Sequence, residues 1–132
     1  MKNLVCLTGV LLLFAVTTYA QDCTLNEDAQ RYMARGNVAI ESAQSNADYL
    51  SAVEEFKKAL QYAPNCPDIY YNIALCYDKS MGSDLFKGSK GFAEAIENYK
   101  KYLALKPNAQ DKQTVQTRIY ELEYKQEKIE FI

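Results

Sequence analysis

The 132-residue sequence contains no histidine, so the commonest general base and the commonest metal ligand are both missing. Its 4 cysteines include no CxxC pair, the close spacing that thiolate metal clips and redox dithiols use. Lys and Arg number 15 against 17 Asp and Glu. Nowhere do the bases gather into the cluster or stripe that nucleic acid or an anionic lipid surface requires. Gly82, Gly88 and Gly91 do not spell the GxxxxGK[ST] of a phosphate loop. Strand patterning finds no support anywhere. These gaps disfavour an enzyme, a metalloprotein and a nucleic-acid binder, and no cofactor is expected.

Only one long apolar run occurs, from Leu4 to Val16, preceded by Lys2 and closed by Thr18-Tyr19-Ala20. It falls short of the roughly 20 residues a bilayer span needs, and its layout is that of a cleaved signal peptide over residues 1–20. An uncleaved signal anchor is the alternative. Neither Cys6 nor Cys23 follows the small residues of a lipidation site. The expected localisation is the periplasm or secreted space, with no membrane insertion after cleavage. About 112 residues then remain, enough for one small domain around a single core. Loss of Lys2 moves the net charge from -2 to about -3, which is nearly neutral.

What the sequence does have is repetition. YLSAVEEFKKALQYAPN (Tyr49 to Asn65) returns 43 residues later as FAEAIENYKKYLALKPN (Phe92 to Asn108), with 7 of 17 positions identical. Apolar residues recur at three and four in both copies: Tyr49, Ala52, Val53, Phe56, Ala59 and Leu60, then Phe92, Ala95, Ile96, Tyr99, Tyr102 and Leu103. That is the period of an amphipathic helix, and Pro64 and Pro107 stop each one. A helix precedes each copy. The first should open with a Thr24 to Glu27 capping box and run to about Ala43. The second opens at Pro67 and ends near Ser80. A last helix, from about Ala109 to Glu130, puts Val115, Ile119, Leu122 and Ile129 on one face. The expected fold is all-α, two antiparallel helical hairpins plus one capping helix.

These residues resemble the tetratricopeptide repeat, an antiparallel helix pair of 34 residues stacked into a solenoid. Ala52 and Ala95 match its small position in the trailing helix, and Phe56, Tyr99, Tyr49 and Phe92 its aromatic positions. Tyr70, Ile73, Ala74 and Tyr77 match the leading helix of the second repeat. Tyr32 and Gly36 suit the first, where Arg35 instead stands at a usual Leu and Ala39 at a usual aromatic. The 43-residue period also admits HEAT-type repeats, but the placed Ala and Pro residues favour the tetratricopeptide reading. Repeat 1 is assigned to residues 24–65, repeat 2 to 67–108 and the capping helix to 109–132. A nine-residue insertion near 80–91 is expected to be a mobile connection, with a basic contact loop as the alternative. The cap reproduces the leading-helix spacing about two residues late, and Tyr102, where the family prefers Ala, is the expected reason.

In such a hairpin the start of the first helix and the end of the second lie together. Cys23 and Cys66 occupy those places, so a disulfide between them is expected, stabilising by at most ~4 kcal/mol. Cys76 is then a buried free thiol. A reactive Cys76, or a metal held by three thiolates, has no His, CxxC or second close ligand behind it.

The resemblance implies a protein-interaction module: a protein or peptide segment held in a concave groove lined by the leading helices. Carried over, the groove positions are Met33, Asn37 and Ile40 in the first helix and Tyr71, Asn72, Leu75, Asp78 and Lys79 in the second. Some family members clamp a carboxylate with Lys and Asn from these helices and two bases from a third. Here Asn37 and Asn72 fit, but Met33 replaces the Lys, and neither alignment of the cap (Asp111 and Val115, or Gln113 and Thr117) supplies a base. Self-association through the exposed repeat face or the tail KIEFI, making a structural homo-oligomer, is the competing reading.

Overall fold

The computed structural model describes residues 23–81 and 85–130. The expected signal peptide and Phe131-Ile132 of the tail lie outside the described residues. The chain forms five helices: α1 Glu27–Glu41, α2 Asn46–Tyr62, α3 Pro67–Ser80, α4 Leu85–Leu105 and α5 Lys112–Glu130. Among the described residues there is no strand, and no helix is long and apolar enough to cross a membrane. Each helix packs on the next in chain order. The result is an all-α stack of two antiparallel hairpins closed by α5.

Local chemistry explains most of the boundaries. The N-cap of α1 is Asn26, whose Oδ1 accepts from the Ala29 N–H at 2.8 Å, rather than the expected Thr24. Cys23 is tied down and Leu25 packs against the first core cluster, so the approach stays extended until Asn26 can satisfy a free amide. α1 ends at Glu41, where the Ser42 hydroxyl donates to the Val38 carbonyl at 2.8 Å. A reciprocal capping box between Ser45 and Asp48 then starts α2, three residues ahead of Tyr49. Asp48 accepts from the Gln44 and Ser45 amides, and these bonds, led by that from Gln44, hold its carboxyl below the usual range. Pro67 occupies the first turn of α3, where its missing N–H is no loss.

Two core clusters alternate along the stack. The first joins Ala29, Ala52, Val53, Phe56 and Ala59 to Ile69, Ile73 and Cys76 of α3; the second joins Ala74, Phe92, Ala95, Ile96, Tyr99 and Tyr102 to Val115, Ile119 and Leu122 of α5. Helix α3 therefore serves both, with Ile69, Ile73 and Cys76 turned back to α2 and Ala74 forward to α4. Burial of Val115, Ile119 and Leu122 stabilises α5 on the stack by roughly 1.5–3 kcal/mol each. Tyr102 lies in that interface, 5% exposed, with its hydroxyl donating to Asp111 Oδ1 at 2.7 Å. The insertion differs from the expected loop: α4 already begins at Leu85, seven residues before Phe92, so most of it lengthens the helix.

α1 has Arg31 and Arg35 directly before Tyr32 and Gly36, just as α3 has Ile69 and Ile73 directly before Tyr70 and Ala74. Both arginine side chains are 60% exposed. They face the side where α3 meets a preceding hairpin, which accounts for Arg35 at a usually apolar position. Arg35 Nε lies 2.6 Å from Glu55 Oε2, and both arginines stand over the Tyr32 ring.

The disulfide joins Cys23 to Cys66, Cα to Cα 5.0 Å. It fastens the start of α1 to the start of α3. Cys76 is a free, buried thiol, and burial pushes its pKa up to about 12.

Candidate functional site

The expected groove residues lie on α1 and α3. Asn37 is exposed, while Met33 and Ile40, a turn to either side, are half-buried against the first core cluster. On α3, Asn72 and Leu75 are half-buried, Leu75 belongs to neither core cluster, and Lys79 is exposed. Asn37, Asn72, Leu75 and Lys79 are thus available to a ligand. Met33 and Ile40 offer one side only.

Tyr71 is more deeply engaged than its sequence position implies. Its ring meets Tyr99 edge-on, centroids 5.7 Å apart, and Tyr102 at 5.2 Å, both geometries that aromatic quadrupoles favour. It is half-buried against the second core cluster. Tyr71 supports the wall of the site more than it projects from it.

Asp78 is not free either. Arg118 of α5 donates to it twice, Nε to Oδ2 at 2.7 Å and Nη2 to Oδ1 at 2.5 Å, and the Tyr99 hydroxyl donates to Oδ2 at 3.3 Å. The remaining guanidinium edge, Nη1, donates to Glu121 Oε2 at 2.6 Å. A two-point Arg–carboxylate fork is among the stronger polar contacts available. The Asp78 carboxylate in turn raises the Arg118 pKa above its ordinary value. Burial, and then the same carboxylate, raise that of Tyr99. This contact ties α5 to α3 through side chains, across the α4 helix on which both pack.

Arg118 is the residue that sequence reasoning missed. Ile119 is buried on α4 in the way Ile73 is buried on α2, and the apolar triplets Val115, Ile119, Leu122 and Ile69, Ile73, Cys76 share one spacing. Arg118, directly before Ile119, therefore takes on α5 the place that Asn72 takes on α3. Matching buried triplets, rather than counting from Pro107, would have found it.

A cavity of about 590 Å³ opens elsewhere, between the start of α2, the end of α3 and α4. Leu50, Val53, Tyr77 and Met81 line it beside Glu54 and Lys90, and no groove residue does. Among the described residues no three His, Cys, Asp or Glu side chains converge as metal ligands would. The sequence matches no family model and no curated protein.

Proposed function

We propose that this chain is a tetratricopeptide-type interaction module, exported to the periplasm or secreted space, which holds a protein or peptide segment on the face of its leading helices without catalysing a reaction. The observation that carries this reading is the set of polar and apolar side chains on α1 and α3 that the core leaves unused: Asn37, Asn72 and Leu75. Amides at such spacing suit the backbone of an extended segment, and Leu75 suits an apolar side chain of it. The disulfide supports export, since such bonds persist in oxidising compartments.

Photo-crosslinkers placed singly at Asn37 and Lys79, with controls at Lys57 and Lys101 on the trailing helices, test it in cells of origin. Capture of one protein from the first pair alone, abolished by Asn72→Ala with Leu75→Ala, is the expected result. Equal capture from both pairs would sink the groove assignment.

A second reading, self-association, is favoured by Tyr120 and Tyr124, one turn apart on α5 and each 61% exposed. Light scattering over a range of concentrations separates the two, a constant monomer mass speaking against assembly.

A further inference from the structure

We propose that Asp78 is a specificity-determining residue of this groove: by taking up the Arg118 guanidinium it makes the α3–α5 end reject acidic segments and accept basic ones. The inference rests on the groove reading above.

The argument is one of charge and donors. Arg118 directs Nε and Nη2 to Asp78 and Nη1 to Glu121, so three of its five N–H donors, including the Nε–Nη2 edge that grips a carboxylate at two points, are already engaged. Two carboxylates against one guanidinium leave the trio with one net negative charge. The Asp78 side chain is only 11% exposed, but that of Glu121 is 52% exposed, so the surplus charge faces the approaching ligand. Next to Asp78, Lys79 acts on the other flank, where its charge is felt by Cys76. Lys125, a turn beyond Glu121, is exposed and, among the described residues, forms no ion pair with the trio. An acidic side chain arriving here meets like charge. A lysine or arginine finds an acceptor in Glu121, which is half exposed.

The Tyr99 hydroxyl makes the arrangement durable. Its bond to Asp78 Oδ2 comes from a ring 3% exposed, so Asp78 is held from the core side as well as from Arg118. To release the guanidinium, a ligand would have to break the two bonds from Arg118 to Asp78 and the one to Glu121.

Selection from a library of random peptides against the full, disulfide-bonded chain tests this. Enriched peptides are expected to carry Asp and Glu about three- to fivefold below their library frequency, the size of a solvent-exposed charge interaction, with Lys and Arg raised. Asp78→Asn frees Arg118 and should reverse the bias toward acidic peptides. Glu121→Gln, at a half-exposed position outside the core, should weaken it in the same direction and guards against misfolding of the first variant. Enrichment of peptides with unbiased or acid-rich composition by the unaltered chain would overturn this inference alone. Enrichment of no peptide at all would overturn the groove reading and this inference with it.

Discussion

Gly36 of α1 lies directly against the ring of Phe56 in α2: a Cβ added at Gly36 would stand 2.5 Å from Cε1 and 2.6 Å from Cζ. Phe56 is fully buried, and its ring has nowhere to retreat in a close-packed core. The hairpin therefore closes only because position 36 has no side chain. Gly36→Ala should gain up to about 1 kcal/mol of helix propensity and lose about 1–3 kcal/mol or more to overpacking, for a net loss of stability. Gly91 is the milder comparison: an added Cβ there meets Met81 Cγ at 2.8 Å, and this buried methionine can turn about its side-chain bonds to make room where the Phe56 ring cannot. Thermal unfolding should show Gly36→Ala well below the parent and Gly91→Ala between the two. The opposite order would contradict the packing described.

The Cys23–Cys66 bond spans 43 residues, a loop whose closure removes at most ~4 kcal/mol of unfolded-chain entropy on the usual treatment. Cys66 is 1% exposed. Reduction of the folded protein should accordingly be slow and follow unfolding, and replacing both cysteines by Ala should lower stability by about 2–4 kcal/mol without loss of helical circular dichroism in the cold. Rapid reduction by dithiothreitol under native conditions would show that the bond is accessible after all.

Alkaline pH should destabilise the fold. The Cys76 thiol is pushed up to about 12, mainly by burial, and burial also raises Tyr99 and Tyr102 above the ordinary tyrosine range. In each case the native state keeps a proton that the unfolded state gives up first. Stability is then intact below the unfolded thiol value of about 8.5 and falls as pH rises beyond it. Urea midpoints should stay level up to that pH and drop above it, and Cys76→Ala should blunt the first part of the drop. The same burial predicts that a thiol reagent at neutral pH labels Cys76 only in denaturant.

The repeated helices are legible in the sequence because each carries an apolar stripe ended by a proline, and the structure buries Ala52, Val53, Phe56, Ala95, Ile96 and Tyr99 as those stripes require. The disulfide follows from hairpin geometry alone. The start of α4 is not legible, because Gly82, Gly88 and Gly91 read as punctuation. Gly91 is instead a point of close approach to Met81 inside a helix, and glycine has both uses. Arg118 escapes for another reason. Counting from Pro107 carries the alignment across the turn that Tyr102 and Asp111 reshape, and the register of α5 is set by its buried triplet rather than by chain length. Asp78 looks free in the sequence because its partner is 40 residues away.

Tyr71 and Leu75 stand one turn apart on α3, and the structure separates their roles. Tyr71 packs on Tyr99 and Tyr102; Leu75 is half-buried and outside both core clusters. Tyr71→Ala should cost about 1–3 kcal/mol, because it strips two aromatic contacts from the seat of α5 and opens space there. Leu75→Ala should cost under about 1 kcal/mol, in keeping with a side chain that few core groups touch. Partner capture should respond in the other sense. Leu75→Ala is expected to weaken it with the melting temperature nearly unchanged, whereas any loss from Tyr71→Ala should track its loss of stability and recover on cooling. A Leu75→Ala variant that melts as early as Tyr71→Ala would place Leu75 in the core and remove it from the groove.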